Sequence, residues 1–449
     1  MTIVIVALPS LQADLGASRT EAAWVVDAYN LIGASLLLSA GYAADRFGRK
    51  RALVTGYALF IVGAALCIVA PSAGWLIVFR VLQAVGGTAL TPTSLAIVAN
   101  LYPDPRERAR AIGIWGVSAG IGTGLGPVIG GAIVDWLDWR AVFAANALGA
   151  LVALAIVVRV VPRSRSAVAR RLDVPGQVIA VTFLATLTYA LIEAPTYGWS
   201  SPRIVGLLAL DVVLVVLFLL VERRTREPLV DLQVFRDRQF SGAVVITIGV
   251  FFVFSAFIFE NSRYLQDARG FSALEAGLLT LPAALPSLPG GPLSGRLVAN
   301  HGARGVLSAG VAVMGLGMAF LALLPGDVDI VWLLAGTLVV GIGYAVVNAP
   351  ISTVAVGSMP RERAGVAAAV ASSARNIGLV LGIAVVGSAV ASRLTDPPPP
   401  PGPALADALG DALRLGYGLC AALALACAVV GLATLRSRPP SDLMSASSA

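Results

Sequence analysis

The strongest constraint on this chain is a succession of apolar blocks, each about 20 residues long, separated by short polar loops. As a helix, about 20 residues cover roughly 30 Å, the hydrocarbon thickness of a bilayer. The first two such blocks fill 22–40 and 52–70, and the pattern continues towards the C-terminus. With 57% hydrophobic and only 13% charged residues over 449 positions, a soluble protein could not cover its surface. The fold class that follows is an all-α polytopic membrane protein. The net charge of +7 does not indicate nucleic acid, because the cations lie in loops between apolar runs and build no basic domain. Cys67, Cys420 and Cys427 all fall within apolar runs, so no disulfide framework is implied. His301 is the only histidine, and without a Cys/His cluster neither a metal site nor another cofactor is expected.

Read in order, the blocks give fourteen spans. The first, starting at Thr2, ends at Asp14 and covers roughly 20 Å, less than a full span. No basic segment marks it as a signal peptide, so the expectation is a truncated first helix that lacks its cytoplasmic half. Spans two to six lie near 22–41, 51–70, 74–99, 109–134 and 141–161. Spans seven and eight lie near 174–193 and 203–221, between a basic loop with Arg163, Arg165, Arg170 and Arg171 and a charged loop over 222–238. Spans nine to twelve lie near 240–260, 274–294, 305–324 and 329–350. The thirteenth covers 364–391, and a Pro-rich loop leads to the fourteenth near 413–435. The polar tail past Arg438 reads as disordered. If the loop 41–51 is cytoplasmic and the sides alternate, 23 of the 32 Lys+Arg fall inside and seven outside. A miscounted span would mix the sides, so this asymmetry supports fourteen spans with both termini in the cytoplasm of a plasma-membrane protein.

The chain also repeats itself weakly. Pro105, Arg106, Glu107, Arg108 and Ala109 recur as Pro360, Arg361, Glu362, Arg363 and Ala364, 255 positions later. Gly41, Gly48 and Lys50 match Gly295, Gly302 and Arg304 at an offset of 254. Both copies fall on the same side, so the repeats are parallel, related by an axis along the membrane normal. The expected organisation is a six-helix bundle in 1–162, an inserted helix pair with flanking loops in 163–239, a second six-helix bundle in 240–436 and a tail in 437–449. Two such halves around a central cavity suit alternating access.

Four stretches carry more than packing. The loop 41–51 (GYAADRFGRKR) resembles the signature loop of the major facilitator superfamily in Gly41, Asp45, Arg46, Gly48, Arg49 and Lys50, with Ala43 where that family usually has leucine. It reads either as a topogenic basic turn or as a cytoplasmic gate. In the gate, Asp45 pairs with cations or accepts from a helix N-terminus and latches the two halves. In the fourth span, 76–88 (LIVFRVLQAVGGT) resembles that family's second motif, whose arginine is tied to proton transfer. Arg80 inside a membrane helix costs at least about 2.5–3.5 kcal/mol, so it faces a partner or a watered cavity, or it snorkels to the interface. Asp27 lies about a turn and a half into the second span. It is either a proton-exchanging carboxyl or an interfacial acid favoured by the helix dipole. In the fifth span, Gly120, Gly122, Gly124, Gly126, Pro127, Gly130 and Gly131 allow close helix approach, and Pro127 removes a backbone donor. The Gly-Pro-x-x-Gly-Gly pattern resembles the antiporter motif of exporters within the superfamily.

Scattered matches at Trp24, Asp27 and Tyr29, at Trp139 and Arg140, over 227–236 and over 264–278 resemble the fourteen-helix drug:proton antiporters of the EmrB/QacA type. That family usually has an aspartate just before the segment matching Thr2, Ile3 and Val4, where this sequence starts. The resemblance implies a major facilitator fold working as a monomer, with protons and a small-molecule substrate as partners. It implies proton-coupled export of small amphipathic organic compounds, with Arg80 tied to coupling. From their places in the spans, Asp27 is the second coupling candidate and Gln83, Arg375 and Asn376 are cavity candidates; Arg375 either lines the cavity, binds an anionic group or bonds helix-break carbonyls. Uptake of a metabolite through the same fold is the alternative, and the fifth-span motif argues against it. An enzyme would need convergent acids, a nucleophile–base pair or metal ligands, and the membrane blocks supply none of these. Asp211, on an inserted helix, reads as a structural pair or a lipid-facing defect, and Met314 and Met318 read as packing.

Overall fold

A computed structural model describes residues 2–102, 104–162, 173–225, 228–325, 328–359, 364–394 and 403–436. Arg163, Arg165, Arg170, Arg171 and Glu227 lie outside the described residues, as do the repeated Pro360, Arg361, Glu362 and Arg363, the loop 395–402 and the tail 437–449. The apolar blocks form helices throughout: α1 (Thr2–Ile5), α2 (Leu8–Leu15), α3 (Arg19–Phe47), α4 (Arg49–Ile68), α5 (Ala73–Leu101), α6 (Pro105–Trp136), α7 (Trp139–Val160), α8 (Val174–Tyr197), α9 (Pro202–Arg224), α10 (Arg238–Arg263), α11 (Ala273–Ala284), α12 (Ser287–His301), α13 (Ala303–Leu323), α14 (Ile330–Gly357), α15 (Ala364–Ala391) and α16 (Pro403–Thr434). Among the described residues, ten helices are long and apolar enough to cross a membrane, and α3, bent by 55° between Leu37 and Ser39, makes up to eleven. The expected first span is broken between α1 and α2. The expected tenth is split into α11 and α12, where Leu285 and Pro286 intervene and Pro282 and Pro289 also lack amide donors.

The helix ends follow local chemistry. Ser18 and Glu21 form a capping box at the start of α3, and Ser272 and Glu275 form one at the start of α11. The charged stretch 41–51 is not a loop, contrary to expectation. Helix α3 runs on through Phe47, and Gly41 lies inside it. The reversal is confined to Gly48, whose φ of 102° is open to glycine and closed to residues with a Cβ. Its repeat partner Gly302 makes the same reversal between α12 and α13, with φ 81°. Gly48 N donates to Ala44 O at 3.0 Å, and Gly302 N donates to Val298 O at 2.9 Å. The residue two on from each glycine bonds the C-terminal end of a later helix of its own half. Lys50 Nζ donates to Val158 O at 2.8 Å, and Arg304 N donates to Arg436 O at 3.3 Å.

Two compact units make up the chain. One comprises Ala7–Ser118 with Ala132–Asp231, and the other comprises Met1–Val6, Ala119–Gly131 and Leu232–Ala449. In the first, α3, α4, α5 and α7 form the core, and the pair α8–α9 packs on α3. Gln177 of α8 donates to Ser35 O at 2.6 Å and its side chain also bonds Ser39, so it bridges the bend of α3. Asp211 of α9 accepts from Thr186 of α8, the structural pairing expected of it. In the second unit, α10 is apolar on every face and correspondingly enclosed, among α14, α15 and α16. Met314 and Met318 are fully buried as packing residues of α13.

Candidate functional site

Arg80, on the third turn of α5, does not snorkel to an interface. It is 3% exposed and held by two helices of its unit. Its Nε donates to Val25 O of α3 at 3.0 Å, and its Nη1 donates to Gln83 Oε1, three residues on, at 2.6 Å. The guanidinium carbon lies 4.5 Å from the centre of the Tyr29 ring and 5.9 Å from that of Phe143 on α7. Such faces attract a desolvated cation. Nη2 and Gln83 Nε2 are buried with no hydrogen-bond partner among the described residues. No carboxylate forms an ion pair with Arg80 there, so its positive charge is met by ring faces and carbonyl dipoles.

Asp27 is also interior, not interfacial. It is fully buried on the side of α3 that carries Asn30, beyond the turn that Glu21 already caps. Neither of its carboxyl oxygens meets a donor in hydrogen-bonding geometry among the described residues. Arg80 and Asp27 are therefore two buried ionisable groups on packed helices, each without an ion pair among the described residues, which makes both functional-site candidates. Tyr29, Phe143 and the close Gly87 contact with the Tyr29 hydroxyl complete the surroundings of Arg80. The periodicity of the chain did not single these residues out. The spacing Trp24, Asp27 and Tyr29 was the available signal.

Asp45 and Arg49 pair across the α3–α4 turn at 3.2 Å, and Arg49 Nη1 also donates to Ala96 O of α5 at 3.2 Å. Arg46 and Phe47 are exposed beside them. The Asp45 carboxylate is 39% exposed and keeps one oxygen free of Arg49. Losing so exposed an ion pair costs at most about 1 kcal/mol. An Asp45→Asn protein is therefore expected to melt within a few degrees of wild type in detergent while transporting poorly. Unimpaired transport would overturn the expectation that Asp45 serves a gate.

The glycines of α6 differ in role. A Cβ added at Gly130 would stand 2.6 Å from Ile3 O, and one at Gly131 would stand 2.6 Å from Leu274 Cα of α11. Gly126 is closed by Thr2, and Gly124 meets Ala284 at 3.0 Å. Pro127 O lies against Gly277. A Cβ added at Gly122 would meet nothing within 4 Å among the described residues. Gly120 is helical. In the same unit, Arg375 of α15 lies 4.7 Å from the Phe251 ring centre. Tyr344 stacks on Phe254 at 3.9 Å and meets Phe251 edge-on at 5.9 Å. Asn376, next on the helix, is partly exposed. Glu260, Asn261, Ser262 and Arg263 form a buried polar end to α10 that the apolar pattern did not bring forward. Four polar residues in a row, at the close of an apolar run, were the signal present.

Spanning helices with ionisable groups buried inside them define a polytopic membrane carrier. The chain belongs to the major facilitator superfamily, whose family model matches residues 1–383. It is 38% identical over 394 residues to the multidrug resistance protein Stp of Mycobacterium tuberculosis (strain CDC 1551 / Oshkosh), covering 88% of this chain and 73% of Stp. It is 36% identical over 393 residues to the puromycin resistance protein pur8 of Streptomyces alboniger, covering 86% and 78%. It is 34% identical over 396 residues to the tetracenomycin C resistance and export protein of Streptomyces glaucescens, covering 88% and 73%. The crystal structure of peptide transporter POT in complex with sulfate has the same fold, with a TM-score of 0.68 at 15% identity over 96% of this chain and 90% of that one.

Proposed function

We propose that this chain exports small amphipathic organic compounds, as a multidrug or natural-product efflux carrier, in exchange for protons. The observation that carries this reading is the pair of buried, counter-ion-free groups Arg80 and Asp27 on packed helices of one unit. Arg80 stays charged at any physiological pH, and Asp27 is the buried carboxyl that gains and loses the proton. Relatives named for multidrug, puromycin and tetracenomycin C resistance support an organic cargo. The glycines of α6 support export, and the aromatic group of Phe251, Phe254 and Tyr344 beside Arg375 supports flat, partly polar substrates. Residues 1–162 and 240–436 act as the two halves of an alternating-access monomer, with 163–239 inserted. Both termini lie on the cytoplasmic side of the plasma membrane, and Gly41, Asp45, Arg46, Gly48, Arg49 and Lys50 form the gate there.

Each proton crossing 100 mV releases about 2.3 kcal/mol, enough for roughly a 50-fold gradient of a neutral solute. Expressed in a pump-deficient host, the protein is expected to lower accumulation of amphipathic dyes and antibiotics, and an uncoupler should restore it. Accumulation that rises with expression and needs an inside-negative potential would instead establish uptake.

A further inference from the structure

The inserted pair α8–α9 holds a buried carboxyl pair that the transport reading does not use. Asp173, the N-cap of α8, is 4% exposed, and Glu222, near the end of α9, is 3% exposed. Asp173 Oδ1 accepts from Gly176 N at 3.0 Å, and its Oδ2 accepts from Leu229 N at 3.3 Å. Glu222 Oε2 accepts from Val230 N at 3.1 Å. The fourth oxygen, Glu222 Oε1, is buried and meets no N–H or side-chain O–H donor among the described residues. A Cβ placed on Gly176 would stand 2.6 Å from this oxygen and 2.6 Å from Asp173 Oδ2, so both carboxyls converge over that bare Cα and lie within hydrogen-bonding reach of each other.

We propose that Asp173 and Glu222 share a single proton, carried on Glu222 Oε1 and donated to Asp173, and that this proton clasps the segment 228–231 to the ends of α8 and α9. Two apposed carboxylates cannot both stay ionised away from water, and one proton between them removes the repulsion and supplies the missing donor. Its position follows from the helices. Asp173 sits at the positive end of α8 and accepts two amides, which favours its anion, whereas Glu222 sits at the negative end of α9 and accepts one. The groups bearing on Glu222 are Asp173 and the Leu229 and Val230 amides. Arg223 and Arg224 follow it on its own helix, and Gln177, on the α8 face towards α3, is neutral and bonded to Ser35 and Ser39. The backbone N–H groups point their hydrogens at the oxygens, so the pair suits a proton and not a metal ion. The clasp implies a cytoplasmic loop that loosens as the proton leaves, whatever the transported compound.

Trypsin cleavage within 223–238 of the purified full-length chain, mapped by mass spectrometry from pH 6 to pH 9, tests this. Each rate is divided by that of Glu222→Gln at the same pH, which cancels the response of trypsin itself. Glu222→Gln keeps a donor towards Asp173 and an acceptor for Val230, and it does not titrate. The wild-type ratio is expected near one at pH 6 and to rise with pH by up to about tenfold per unit, the limit for release of one proton. Glu222→Ala should be cleaved quickly at every pH. Asp173→Asn, which surrenders an acceptor, should loosen the loop more than Glu222→Gln. A flat wild-type ratio, or Glu222→Gln cleaved as fast as Glu222→Ala, would overturn the shared proton, as would a ratio that changes only when Mg²⁺ or Ca²⁺ is added.

Discussion

Vesicles carrying Arg80→Ala are expected to show no proton-driven export, and those carrying Arg80→Lys should retain at most about a tenth of it, a barrier increase of roughly 1.4 kcal/mol or more. The lysine variant is the more informative. It keeps the positive charge, yet one ammonium cannot reproduce a planar fork that reaches Val25 O and Gln83 Oε1 while lying over the Tyr29 ring. Alanine additionally strands Gln83 Oε1 in a dry site, which costs about 1–3 kcal/mol of stability. Measuring export and detergent melting temperature on the same preparations separates the two effects. Lysine should leave the fold nearly intact and still lose coupling. Full export by either variant would reduce Arg80 to a structural residue.

The second large effect lies in α6, where neighbouring glycines should respond in opposite ways. Gly131→Val is expected to destabilise the purified protein by about 3 kcal/mol or more and to prevent stable insertion in part of the preparation. Its side chain would press on Leu274 Cα and the Ala273 carbonyl, which are backbone and cannot rotate away. Gly130→Val should behave similarly against Ile3. Gly122→Ala, with nothing within 4 Å, should gain up to about 1 kcal/mol from the better helix propensity of alanine. Thermal melts of the variants in one detergent decide the matter. Equal tolerance at Gly122 and Gly131 would mean that α6 does not pack as described.

Much of the fold was legible from the chain because spans and reversals are local properties. A block of about 20 apolar residues must satisfy its own backbone as a helix, wherever its neighbours lie. The turn at Gly48 and its partner at Gly302 could be read from glycine spacing, although how far α3 continues before turning could not. The broken tenth span was readable in principle from Pro282, Pro286 and Pro289, but its hydropathy concealed the break.

The candidate sites were less legible, for a definite reason. Whether a charged side chain is buried, and beside what, depends on helices distant in sequence. Arg80 could be recognised as costly from its place in an apolar run. Its acceptor on Val25, 55 residues away, and the ring faces of Tyr29 and Phe143 appear only once α3, α5 and α7 pack. Gly122 and Gly131 are equivalent letters in one motif, and only the approach of α11 makes one indispensable and leaves the other free. Glu222 read as the start of a charged loop, yet packing of α9 against α8 buries it against Asp173. The sequence by itself determined the all-helical membrane class, the repeat and, through its motifs, the superfamily, since helical spans rest on hydrophobicity and local backbone bonding. The tertiary structure alone decided which ionisable groups lose their water and which partners replace it, because desolvation is a property of packed neighbours and not of a residue.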